Sequence, residues 1–183
     1  LVEEKSEGAV LGFMCDAPAV AAAKSAGVGR SIAIALGGRH GPRGTLPFEA
    51  TFTVEALGSG QFKTTGPVSG NREVDLGPIA LLRIDGVRVA VTSKRMQALD
   101  QAPFRHLGVE PKDQKILALK STVHFRGVFQ SLAEEILVVE APGDHLCDAS
   151  KYHYRRLRPG VRLTPLGPES KPPGGSAMLA PRE

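Results

Sequence analysis

The 183 residues are 42% hydrophobic and 23% charged, enough apolar sequence for one domain with a core and too much for a disordered tail. No run approaches the ~20 apolar residues that span a bilayer. Two cysteines, Cys15 and Cys147, are too few for a disulfide framework, so a protein of the reducing cytoplasm with no membrane partner is expected. The net charge of +4 is concentrated in Lys151, Arg155, Arg156, Arg158 and Arg162, with only Tyr152 and Tyr154 as aromatic company. A nucleic-acid interface wants a basic face with stacking aromatics or a recognisable module. A solvated or subunit-facing strip is expected instead, and no nucleic-acid partner. The chain opens Leu1-Val2-Glu3-Glu4-Lys5, neither a methionine nor a basic leader, and is expected to begin partway through something larger.

With 21 glycines and 14 prolines, above the roughly 12% that average usage gives, the chain turns often and should be strand-rich. Residues 9–15 form a short apolar run. An alanine-rich helix follows at 18–26, with Pro18 in its first turn, Asp16 placed as N-cap, and Gly27 and Gly29 ending it. A second apolar run at 31–36 completes a strand-helix-strand unit, the kind that produces parallel pairing. Residues 48–57 alternate with period two, and Gly58-Ser59-Gly60 leads into another extended stretch at 62–65, which predicts a hairpin. Residues 79–84 and 87–92 flank Asp85-Gly86, the strongest hairpin signal in the chain. Next come a helical turn at 103–109 closed by Gly108, a buried strand at 115–119, a helix at 123–134 and a final strand at 135–139. Two strand-helix-strand units flanking antiparallel hairpins give a mixed sheet of the α/β or α+β class. From about residue 159 the periodicity dies, and Lys171-Pro172-Pro173-Gly174-Gly175-Ser176 reads as a flexible tail over 159–183.

Several standard machines are excluded by inspection: no Walker loop, no Gly-x-Ser-x-Gly elbow and no His-Glu-x-x-His occurs. Gly27-Val28-Gly29 follows a helix, where phosphate would meet the wrong end of the dipole, and serves better as a C-cap. Asp144, His145, Cys147, Asp148 and His153 are all potential metal ligands, but their spacing fits no standard structural zinc pattern, and a polar surface turn is favoured. His106 is better suited to packing or capping than to catalysis. Lys120-Ser121-Thr122-Val123-His124-Phe125-Arg126 lies where a strand ends and a helix is expected to begin, the place where open α/β sheets bind ligands. Ser121 or Thr122 could cap while His124 and Arg126 face a ligand, or all four could be merely capping and solvated; the two alternatives weigh equally. Gly37-Gly38-Arg39-His40-Gly41-Pro42, Thr92-Ser93-Lys94-Arg95-Met96-Gln97 and Cys15-Asp16 are further polar strand ends. Among the four, no set of metal ligands and no nucleophile with its base is complete.

Taken in order, the run from Asp16 to Gly29, Leu36-Gly37-Gly38-Arg39-His40-Gly41-Pro42, Asp75-Leu76-Gly77-Pro78, the run from Thr92 to Asp100, Phe104-Arg105-His106-Leu107-Gly108 and the run from Lys120 to Arg126 resemble the C-terminal domain of the MlrC family. The resemblance covers roughly residues 8–160, which makes 1–158 the domain. That family is named for a zinc-dependent peptidase that degrades linearised microcystin. The resemblance therefore implies a hydrolase of the metallopeptidase type, acting on a peptide or small amide. It also implies a partner: an N-terminal domain of the same protein that carries the zinc ligands. No metal ligand is carried over to this chain, which alone is not expected to hold zinc or to be active. Gly38, His40, Ser93, Arg95, Ser121, Thr122, His124 and Arg126 fall on matching motifs and are expected to line the cleft as substrate-binding residues. The family usually has an aromatic residue where this chain has Cys15, so no role is carried over there. The alternative is a non-catalytic structural or ligand-binding domain.

Overall fold

The structure, a computed structural model, describes residues 1–38, 45–139 and 148–170. Its contacts divide it into two compact units, Leu1–Val139 and Glu140–Glu183. The first contains β1 (Ala9–Cys15), α1 (Ala17–Ala26), β2 (Ser31–Leu36), β3 (Phe48–Gly58), β4 (Gln61–Lys63), β5 (Glu73–Asp75), β6 (Ile79–Ile84), β7 (Val87–Thr92), α2 (Ala102–His106), β8 (Ile116–Leu119) and α3 (Arg126–Phe129), with 3-10 turns at Pro111–Asp113 and Gln130–Leu132. Six strands make one mixed sheet in the order β2-β3-β6-β7-β1-β8, and β4 pairs only with β5. No helix among the described residues is long and apolar enough to cross a membrane.

The central strands read as unbroken apolar runs because both faces of the sheet are covered. Ala80, Leu82, Val89 and Val91 pack under α1 through Ala19, Val20 and Ala23. On the opposite face Val10, Ile79, Leu81 and Ala90 pack with Phe104, Leu107, Val109 and Phe129. The β6–β7 hairpin forms as expected, with Ile84 opposite Val87. Its tight turn places Asp85 at φ 49°, while Gly86 leaves room for the chain at Ser6 and Glu7, whose atoms a Cβ would meet at 2.5 Å. Helix α1 also starts and stops where its caps predict: Asp16 accepts from the Ala19 N–H at 3.2 Å, and the Gly27 N–H (φ 87°) returns to Ala23 O.

Five expectations need correction. Strands β1 and β2 are not neighbours; after α1 crosses the sheet face the chain reaches the far edge, where β2 runs antiparallel to β3, and the parallel partners of β1 are β7 and β8. Residues 48–65 do not form a hairpin. Both sides of β3 are occupied, by β2 and β6, so the segment after Gly60 must find another partner and pairs with β5. Strand β8 is an edge strand, with Ile116 38% exposed, not a buried one. The helix expected at 123–134 shrinks to α3 and one 3-10 turn, and no strand forms at 135–139. Only Phe129 of α3 is buried, and Leu137, Val138 and Val139 are 75%, 76% and 79% exposed; an apolar run without a core or a sheet edge to join gains nothing by becoming regular.

Gly60 joins the small sheet to the large one. Its φ is 75°, it accepts from the Leu76 N–H at 3.0 Å, and a Cβ there would stand 1.8 Å from Gly77 O, a backbone atom that cannot swing away. Gly60→Ala is therefore expected to cost about 2 kcal/mol or more through positive-φ strain and overpacking. Urea unfolding would show this as a lower midpoint with an unchanged slope.

In the second unit, Asp148 caps a 3-10 turn at Ala149–Lys151 by accepting from Ser150 N at 2.9 Å and from its hydroxyl at 2.6 Å. These Ser150 bonds, the hydroxyl first, hold the Asp148 carboxyl below its ordinary value. Arg162 bridges Glu169 and pairs with it at 3.3 Å. Tyr152 and Tyr154 meet edge to face at 6.1 Å, and Arg155, Arg156 and Arg158 are exposed. Asp144, His145 and Cys147 of the candidate ligand group, and residues 171–183 of the expected tail, lie outside the described residues.

Candidate functional site

The polar strand ends do come together, and hydrogen bonds show how. Cys15 is level with Thr92 across the parallel β1–β7 pair, and Gly12 with Leu119 across β1–β8. Immediately beyond, Asp16 N–H donates to Thr92 O at 3.0 Å and Lys120 N–H to Gly12 O at 2.8 Å. The buried Thr92 hydroxyl closes the corner by donating to Lys94 O at 2.8 Å. The end of β2 arrives from the other side: Gly37 N–H donates to Asp16 Oδ2 at 3.0 Å. One buried carboxylate thus caps α1 with one oxygen and ties down the β2 end with the other. A groove of ≈ 270 Å³ lined by Ala35, Gly37, Gly38 and Pro47 lies beside it.

Gly38 has φ 72°, and a Cβ there would stand 2.7 Å from Pro47 N, so the backbone of this segment passes close against Pro47. His40 lies outside the described residues. Ser93 is half-buried and donates to Pro78 O at 2.5 Å, while Arg95 is exposed. Beside them Lys94 Nζ reaches Asp75 O at 3.1 Å and Oδ1 at 3.3 Å. The Gly77 N–H, and after it the Lys94 ammonium, hold the exposed Asp75 carboxyl below its ordinary value.

Ser121 Oγ accepts from the Phe125 N–H at 3.3 Å in the turn before α3, whose own N-cap position, Phe125, has no side-chain capping bond. Thr122, His124 and Arg126 are exposed. His124 Nδ1 lies 3.0 Å from Gln97 Oε1, and the Arg126 guanidinium sits 5.1 Å from the Phe125 ring centroid. The 93–97 and 120–126 segments are joined a second time by the Ala98 N–H to Lys120 O bond at 3.4 Å. The helix expected to aim its N-terminus at a ligand is only four residues long, so no helix dipole acts there, and whatever this segment does rests on its side chains. His106 packs as expected, accepting from Gly60 N at 3.2 Å and facing Phe62 at 5.7 Å.

Two residues outside the expected set support this end of the sheet. Gln97 carried no local signal beyond lying in a polar segment. Asp100 is fully buried and gathers the 64–72 loop, accepting from Thr65 N–H at 3.0 Å, Gly66 N–H at 2.6 Å and the Ser69 hydroxyl at 2.7 Å on Oδ2, and from Ala102 N–H at 2.8 Å on Oδ1. That loop packs onto α3, where a Cβ on Gly66 would meet Val128 at 2.7 Å and one on Gly127 would meet Val68 at 3.1 Å. A lone aspartate before a short helix reads as an N-cap; its second oxygen answers donors some 35 residues away.

Among the described residues no three His, Cys, Asp or Glu side chains come together as a set that could hold a metal. The zinc implied by the resemblance therefore finds no fitting donor set in them.

The first unit is thus a mixed α/β sheet in which the C-terminal ends of the parallel strands β1, β7 and β8 lie side by side. The chain belongs to the family described as MlrC C-terminus, which it matches over residues 1–156. It is 26% identical over 156 residues to microcystinase C from a Sphingomonas species, an alignment covering 85% of this chain and 29% of that protein. A crystal structure from Mesorhizobium sp. BNC1, whose protein is provisionally described as a metallopeptidase, superposes with a TM-score of 0.67 and 29% identity over 74% of this chain and 27% of its own. The family expected from the motifs is thus the family found, and the chain spans under a third of either relative's length.

Proposed function

We propose that this chain is the part of a metal-dependent peptidase or amidohydrolase that lines the active-site cleft, with the metal, zinc by the family resemblance, held by an N-terminal domain of the same longer protein. What carries the proposal is the gathering of the β1, β7 and β8 ends at one end of the sheet, with the segment after β2 tied to them by the Gly37 N–H to Asp16 bond and the rest joined through Thr92, Lys120 and Gln97. Arg95, Thr122, His124 and Arg126 stand exposed on these segments, with Ser93 and Ser121 half-buried behind them. Gly38 would add to the lining from the β2 side. The substrate is a peptide or small amide. Arg126, a permanent cation with a planar fork of donors, suits a substrate carboxylate or the oxyanion that develops when an amide carbonyl is attacked.

In the longer protein, Arg126→Ala is expected to lower turnover of a chromogenic linear peptide amide by about 100-fold. Unfolding midpoints should barely change, because Arg126 is exposed. Wild-type turnover in that variant would instead favour a non-catalytic structural or ligand-binding domain.

A further inference from the structure

We propose that Gln97 is a positioning residue that fixes the tautomer of His124 and so makes its outer nitrogen a proton acceptor; the inference rests on His124 lining the cleft, as proposed above. Gln97 Oε1 stands 3.0 Å from His124 Nδ1. An amide oxygen can only accept, so Nδ1 carries the proton, and in the neutral ring Nε2 is then a bare lone pair. Nothing among the described residues bonds to Nε2, and the side chain is exposed. Both partners sit on anchored backbone. Gln97 O accepts from Leu99 N–H at 2.9 Å, and its neighbour Ala98 is tied to Lys120; His124 O accepts from Gly127 N–H at 3.2 Å. An exposed glutamine could be satisfied by water, and here it is paired with an imidazole 27 residues further along the chain.

The pairing divides labour between two neighbouring side chains. Arg126 has donors and no acceptor, whereas His124 held in this tautomer offers an acceptor outward. Arg126 is therefore the residue for a carboxylate or oxyanion, and His124 Nε2 takes a proton-bearing group: a water molecule or a substrate N–H. The other charged side chains on the two segments, Lys94, Arg95 and Lys120, are all cations, and no carboxylate among the described residues is hydrogen-bonded to the ring. The fixed tautomer is thus the work of a neutral amide.

The test reads the ring directly. In the ¹⁵N-labelled 183-residue chain above neutral pH, His124 should show a protonated Nδ1 and a bare Nε2. Gln97→Glu, which still accepts at the same place, should keep that pattern, and Gln97→Leu should lose it. In the longer protein Gln97→Leu should lower turnover of the linear peptide amide about tenfold, and Gln97→Glu should restore most of it. A protonated Nε2 in the wild-type chain, or a pattern indifferent to Gln97→Leu, overturns the inference. Wild-type turnover in His124→Ala, together with the expected ring pattern, overturns the cleft placement of His124 while leaving the tautomer assignment standing.

Discussion

Phe104→Ala is expected to destabilise the domain by about 3–5 kcal/mol. The ring is completely buried, stacks at 4.4 Å on Phe13 of β1 and meets Phe129 of α3 edge-on at 6.0 Å. It therefore holds α2 and α3 against the sheet on the face opposite α1. Removing it leaves a cavity that three separate elements must collapse to fill. The ring also explains Gly12, where a Cβ would stand 2.4 Å from Phe104 Cζ. Gly12→Ala alone should cost about 1–3 kcal/mol by overpacking. Placed on top of Phe104→Ala, the same change should cost little, because the atom it collides with is gone. Strictly additive costs in that double-mutant cycle would show that the ring is not what keeps position 12 bare.

Asp100→Ala should cost about 3 kcal/mol, the second large effect. It strands three backbone N–H donors and a serine hydroxyl, all of which converge on one buried carboxylate. Burial on its own raises the Asp100 carboxyl, but the bonds from Ala102, Ser69, Gly66 and Thr65 outweigh it and leave the group below its ordinary value. The sign of the pH dependence follows. The folded-state value is the lower one, so the stabilisation is present above the unfolded carboxylate value of about 3.9 and is lost as pH falls toward the folded one. Asp100→Asn should flatten that acid limb of the stability curve while destabilising less than Ala. An unchanged acid limb would remove Asp100 from the account of the 64–72 loop.

Local chemistry made part of the fold legible. Asp85-Gly86 between two β-branched runs specifies its hairpin within a few residues, and Asp16, Pro18 and Gly27 mark both ends of α1. Parallel pairing has no such local mark. That β1 lies between β7 and β8 depends on contacts about 78 and 107 residues away in sequence, so the strand-helix-strand pattern at 9–36 suggested the wrong neighbour. The false helix at 123–134 has a physical origin too. Val123, Val128, Phe129 and Leu132 mimic an apolar stripe, but only Phe129 is buried; Val128 packs against the core from its edge, and Val123 and Leu132 are exposed.

The candidate site was legible as a list of polar strand ends and not as a network. Asp16 could be read as a cap, and its second bond, to Gly37, could not. Gln97 became visible only beside His124. The sequence pattern marks where strands end; which ends share a corner is decided by sheet order, and that is a tertiary fact.

The central claim is that this chain shapes the cleft while the metal is held elsewhere in the protein. Zinc content tests it most directly, measured after dialysis on the 183-residue chain alone and on the longer protein that joins it to its N-terminal domain. The account predicts about one zinc or more per longer protein and no stoichiometric zinc in this chain. Tight one-to-one zinc in this chain by itself would contradict it and turn attention to Asp144, His145, Cys147, Asp148 and His153.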